Sequence, residues 1–130
     1  MPKWLLIDTR SREAAVFGWL TARGHLALRS VRAGAPGLMS SLASRLKPSD
    51  VAGASGICVV RGPGSFSSIR MGTLVANLLT RLFNLKLYAL DVQDTEDVRA
   101  LAESLARRKP VKYAAPIYDR PPNITLAKGL

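Results

Sequence analysis

The hydrophobic positions of this chain change period several times, and each change marks an element. Trp4 to Asp8 is an apolar run that closes on a carboxylate, the pattern of a buried strand. Ala14 to Leu20 and His25 to Val31 read as two more strands. Short polar connections, Arg10-Ser11-Arg12 and Thr21-Ala22-Arg23-Gly24, join the three as an antiparallel meander. Ala33-Gly34-Ala35-Pro36-Gly37 breaks the pattern, and a first helix is predicted from Leu38 to Leu46, ending before Pro48. The β-branched run Gly56 to Val60 is a fourth strand, Ser65 to Asn84 a second helix and Lys86 to Leu90 a fifth strand. Asp94 to Arg108 reads as a third helix, with acids in its first turn and bases in its last to match the macrodipole. Pro110 ends it, and the proline-rich tail is expected to lie extended against the body.

The connection between the fourth strand and the second helix holds the most chemistry: Arg61-Gly62-Pro63-Gly64-Ser65-Phe66-Ser67-Ser68-Ile69-Arg70. Gly62 and Gly64 permit positive φ or close backbone approach, and Pro63 fixes the bend between them. Ser65 is a suitable N-cap. Two readings stand at this point. The turn is either a plain strand-to-helix connection or a cradle that presents a helix N-terminus to a phosphate. It is not a Walker loop, because no Gly-Lys-Ser/Thr follows, and it lacks the third glycine of a dinucleotide fingerprint.

Read whole, the segment resembles Gly-Pro-Gly-Ser-Phe-Thr-Gly-Leu-Arg, the signature of the TsaB (YeaZ) family of tRNA threonylcarbamoyladenosine biosynthesis. Leu5-Leu6-Ile7-Asp8-Thr9 is similar to the family's N-terminal Ile-Asp-Thr-Ser strand. Pro116-Ile117-Tyr118-Asp119-Arg120-Pro121-Pro122-Asn123-Ile124-Thr125 is similar to its C-terminal tail. The departures are Arg10 for Ser, Ser67-Ser68 for Thr-Gly, Asp119 for Leu, and no Glu-His-Ser element before the first helix. Family members carry a second lobe before the tail; here Asp94 to Lys109 leads almost straight into it, so that lobe is expected to be nearly missing. We therefore divide the chain into a lobe, 1–109, and a tail, 110–130. The element order alone, three antiparallel strands and then αβαβα, is that of the ribonuclease-H-like half of the actin/hexokinase fold. The expected class is α/β, a five-stranded mixed sheet with helices.

The resemblance implies a noncatalytic paralogue that pairs with a TsaD-like catalytic subunit through its first two helices. It further implies a TsaE-like ATPase as an associate, a homodimer when the chain is alone, and tRNA engaged only indirectly. Helical periodicity adds a physical reason for partnership. Ile69, Gly72, Ala76, Leu79 and Phe83 form one stripe of the second helix, and Met71, Leu74, Val75, Leu78 and Leu82 another about 100° away. Arg70, Thr73, Asn77, Thr80, Arg81 and Asn84 fill the narrow remainder. One sheet covers one stripe; the other must meet another helix of this chain, a partner chain, or both. Candidate interface residues are Leu38, Leu42, Leu46, Met71, Leu74, Val75, Leu78 and Leu82. Asp8, Thr9, Gly62, Gly64 and Ser65 are the candidates for a nucleotide- or phosphate-facing end of the sheet.

Composition narrows the chemistry. The chain has 130 residues, a single cysteine in an apolar strand and a single histidine. One domain suits that length. No apolar run spans a membrane and the N-terminus has no signal-peptide pattern, so a cytoplasmic protein is expected. Cys58 reads as an inert core residue. Asp8 ends the first strand as a ribonuclease-H nuclease requires, yet Arg61 stands at the end of the fourth, where a cation repels metal ions. A sugar kinase needs a second lobe. A hydrolase needs a base beside its nucleophile, and His25 alone does not supply a metal cluster. The reading is no enzyme, no cofactor and no metal. The net charge of +10 invites nucleic acid, but the cations are scattered and the run Arg107-Arg108-Lys109 has no aromatic platforms beside it. Two rival readings are a self-associating structural remnant of the family, and a small nucleotide- or RNA-binding module built on the Gly-Pro-Gly turn and basic surface.

Overall fold

Alternation along the strands sorts the apolar side chains onto two faces of one sheet. The computed structural model describes residues 2–11, 13–32, 40, 44–64 and 66–117. The strands are β1 (Lys3–Asp8), β2 (Ala14–Thr21), β3 (Leu26–Arg32), β4 (Gly56–Val60) and β5 (Leu87–Leu90). The helices are α1 (Pro48–Ala52), α2 (Phe66–Phe83) and α3 (Val98–Leu105), with a 3-10 turn at Val92–Thr95. The sheet order is β3-β2-β1-β4-β5. β1 and β2, and β2 and β3, pair antiparallel. β1, β4 and β5 run parallel, with Asp8 opposite Val60 and Val60 opposite Leu90.

The central strands β1 and β4 are covered on both faces, which is why they read as continuous apolar runs rather than alternating ones. Leu5, Ile7, Phe17, Ile57, Val59 and Leu87 lie on one face with Val75 and Ala76 of α2. Trp4, Leu6, Leu20, Cys58, Val60, Tyr88 and Leu90 lie on the other with Leu101, Ala102 and Leu105 of α3. Full burial of such side chains is worth about 1.5–3 kcal/mol each. Burial also pushes the Cys58 thiol far above its ordinary range, so it stays protonated in the core.

The expected strands are all present within one residue at each end. The helices differ more. The helix expected over Leu38–Leu46 falls mostly outside the described residues, and the backbone is helical at Ser40, Ser44 and Arg45. Pro48 opens α1 at its first position, where its missing N–H costs nothing. The stretch read as one helix from Asp94 to Arg108 is two elements. Asp91 and Asp94 form a reciprocal capping box on the 3-10 turn. Asp97 is extended and its side chain accepts from the Ala100 amide, capping α3 afresh. Asp94 also pairs with Arg108 at 2.8 Å, which ties the 3-10 turn to the end of α3.

Beyond α3 the chain returns as a strap. The Val111 amide donates to the Leu87 carbonyl at 2.8 Å. Ala114 is buried; its amide donates to Asn77 Oδ1 at 3.0 Å and its carbonyl accepts from Asn77 Nδ2 at 3.2 Å. The Ile117 amide donates to the Arg61 carbonyl at 2.6 Å. The tail thus lies against the body as far as Ile117, whose side chain is partly exposed. Tyr118, in the same tail, lies outside the described residues.

Candidate functional site

Because β1, β4 and β5 are parallel, Asp8, Arg61 and Asp91 arrive together at their carboxyl ends, the edge where open α/β sheets place ligands. At this edge every one of the three charges is paired within the chain. Arg10 Nε donates to both Asp8 oxygens at 3.0 and 3.1 Å, Arg10 Nη2 to Oδ2 at 2.7 Å, and the Arg10 amide to Oδ1 at 3.1 Å. Only 17% of the Asp8 side chain is exposed. This fork-to-carboxylate fit raises the Arg10 guanidinium above its ordinary value, against an opposing effect of burial. Arg61 Nε donates to Asp91 Oδ1 at 3.1 Å. A shallow cavity of about 410 Å³ opens here, lined by Asp8, Arg10, Ser11, Ala14, Val16, Pro63 and Gly64.

The glycines of the turn meet the chain itself. Gly62 has φ of +122° and precedes a cis proline, and a side chain there would run into the Ile117 carbonyl of the strap. A Cβ on Gly64 would stand 2.9 Å from the Arg10 Cα. The turn is thus packed between the loop after β1 and the strap. Thr9 is buried against Gly72 of α2, and its Oγ1 has no hydrogen-bond partner among the described residues. Ser65 lies outside the described residues. Asp8, Thr9, Gly62 and Gly64 are therefore brought together, with the Asp8 carboxylate already occupied by a guanidinium. No three His, Cys, Asp or Glu side chains among the described residues are placed to share a metal ion.

The interface candidates divide differently. Leu74, Leu78 and Leu82 are 52%, 46% and 76% exposed on the outer face of α2. Val75 is 1% exposed and belongs to this chain's own core, so it offers nothing to a partner. It sits on the boundary between the two stripes, and the sheet reaches far enough round α2 to claim it. Met71 and Leu46 are partly buried against the same core. Leu38 and Leu42 lie outside the described residues. Thr73 and Thr80, which periodicity puts on the polar remainder, are buried; their hydroxyls donate back to the carbonyls of Ile69 and Arg70, and of Asn77. Asn77, which clasps the strap, was not singled out by the sequence. Its signal is an amide of low helix propensity set among apolar helix residues.

The three-stranded meander, the parallel β1-β4-β5 half and the helix on either face recur in solved structures. YeaZ from Pseudomonas aeruginosa matches with a TM-score of 0.58 at 22% identity, over 70% of this chain and 44% of that one. An uncharacterized protein with similarity to peptidase YeaZ from Pseudomonas aeruginosa matches with a TM-score of 0.54 at 20% identity over the same shares. RuvC from T. thermophilus, solved with a Holliday junction substrate, matches at 0.50 with 9% identity, over 85% of this chain and all of that one. The chain has the ribonuclease-H-like fold. YeaZ is also the family that the three sequence motifs resemble. The chain spans less than half the length of the two YeaZ-like structures. No protein-family model matches it, and no curated protein does either. Within this ribonuclease-H-like lobe, no described helix is long and apolar enough to cross a membrane.

Proposed function

We propose that this chain is a noncatalytic partner subunit that binds and organises a TsaD-like enzyme for threonylcarbamoylation of tRNA adenosine. The observation that carries the reading is the exposed Leu74, Leu78, Leu82 stripe on α2, a helix whose opposite face is already spent on the sheet. An apolar stripe of that kind fits a helix of another chain. The likeness of the fold to YeaZ and the ordered motifs support reading that chain as a TsaD-like subunit. The Asp8–Arg10 pair supports the noncatalytic part, since the carboxylate best placed for chemistry accepts from a guanidinium on both oxygens. In this reading the work is cytoplasmic, a TsaE-like ATPase joins the assembly, and tRNA is touched through the complex.

Reconstitution tests it. A TsaD-like enzyme with its substrates should modify tRNA only when this chain is added, and the chain alone should turn over nothing. Equal modification with and without the chain would contradict the proposal.

A further inference from the structure

At the carboxyl edge of the sheet Asp8, Arg61 and Asp91 are all paired; the amino edge, on the α3 side, is different. There β1, β4 and β5 begin, and a groove of about 540 Å³ runs between their starts and α3. That volume is in the range of small-molecule sites. Trp4 and Tyr88 line it from the sheet, and Ala102 and Leu105 from the helix. Trp4 lies opposite Gly56 in the sheet, and a Cβ on Gly56 would stand 2.8 Å from Cε2 of the Tyr88 ring. The missing side chain makes room for that ring. The rim is framed by backbone hydrogen bonds. The Ala22 amide donates to the Pro2 carbonyl at 3.1 Å, the Ser55 amide to the Lys3 carbonyl at 2.8 Å, and the Ile57 amide to the Lys86 carbonyl at 2.8 Å. The groove is thus built by the fold itself.

Its polar groups are unspent. Lys86, Glu103 and Arg107 stand round the groove, all exposed, and none joins an ion pair among the described residues. Glu103 and Arg107 have the four-residue spacing of a helical ion pair, but α3 ends at Leu105 and the pair is not made. Tyr88 is only 5% exposed, yet its hydroxyl has no hydrogen-bond partner among the described residues. A tyrosine set this deep ordinarily finds one. Burial, chiefly, raises that hydroxyl above its ordinary value, so it remains a donor at neutral pH. A flat apolar body fits along Trp4 and Tyr88, and a carboxylate at its end would meet the Tyr88 hydroxyl, Lys86 and Arg107. Two cations and one carboxylate leave the rim a single net positive charge, which suits one carboxylate better than a polyphosphate. We propose that this groove at the amino edge is a binding site for a small aromatic carboxylic acid. It lies on the opposite face of the sheet from α2 and goes beyond the partner reading.

The test titrates the intact, isotope-labelled chain with naphthoate and follows amide chemical shifts by NMR, with the neutral isostere naphthylmethanol as the comparison. Naphthoate should shift the Ser55, Tyr88, Ala102 and Arg107 amides saturably and bind about tenfold more tightly than the alcohol. Tyr88→Phe should weaken naphthoate about threefold or more with an unchanged melting curve, since the hydroxyl has no partner in the fold to lose. Arg107→Gln, on the exposed rim, should weaken it in the same direction. Equal affinity for the acid and the alcohol would overturn the inference. So would shifts that do not saturate at millimolar naphthoate, or that map to Asp8 and Gly64 at the other edge. Full naphthoate affinity in both variants would overturn it as well.

Discussion

Gly62 meets two constraints at once, a φ of +122° and the Ile117 carbonyl packed where a side chain would go. Gly62→Ala should therefore destabilise the fold by about 1–3 kcal/mol, read from urea denaturation, and should loosen the strap as well. Glycine at this position was legible as a backbone requirement, but what crowds it was not, because the crowding comes from a distant part of the chain. Asp94 is a second case of a local pattern with a distant partner. The hydrogen bond from Arg108, chiefly, holds its carboxyl below the ordinary value, against the opposing effect of burial. A depressed folded value means the pair stabilises the protein fully above the ordinary carboxylate range, and the gain is lost as pH falls through the folded value. Asp94→Asn should thus lower stability at neutral pH and flatten the acid limb of a stability–pH profile measured by denaturation. Arg10 stood out in the sequence as a departure from a motif, and its geometry gives that departure a consequence, since it occupies both oxygens of Asp8.

At the scale of elements, α2 joins the core to the surface. Its inner face, Ile69, Gly72, Val75 and Ala76, is buried, and its outer leucines are not. Asn77 lies between the two faces and holds the strap with a donor and an acceptor to one residue, Ala114. Asn77→Ala would leave both backbone groups of buried Ala114 without that partner, at a cost of about 1–3 kcal/mol. Truncation after Lys112 removes Ala114 altogether and should lower the melting temperature by several degrees, as expected for a loss of a kilocalorie or more in a domain of this size. An unchanged melting curve would mean the strap adds nothing to the fold. The helix read across Asp94–Arg108 shows where sequence reasoning reaches its limit. Acids early and bases late suit one helix dipole, but Asp91, Asp94 and Asp97 are also cap residues at three-residue spacing. Caps won, because a side chain that satisfies an orphan amide ends one element and starts the next.

At the scale of the whole molecule, the sheet was the most readable part. Trp4–Ile7 and Gly56–Val60 are apolar throughout because β1 and β4 are covered on both faces, and β2 has an interrupted pattern because one of its faces is only partly covered. The strand order follows once three short-loop strands precede two parallel ones. The carboxyl edge was readable as a place and not as an electrostatic state, since its pairs, Asp8–Arg10 and Arg61–Asp91, depend on side-chain direction. The leucine stripe was readable from periodicity except at Val75, where the width of the buried face decides. The central claim is that this stripe belongs to another protein chain. Sedimentation velocity of the chain mixed with a TsaD-like subunit tests it most directly, with wild type and Leu78→Glu run side by side and their melting curves compared. The account predicts a stable complex for wild type and separate species for Leu78→Glu, with the fold of the variant intact. A wild-type chain that sediments alone in the presence of the subunit, or a Leu78→Glu variant that binds it as well as wild type, would contradict it.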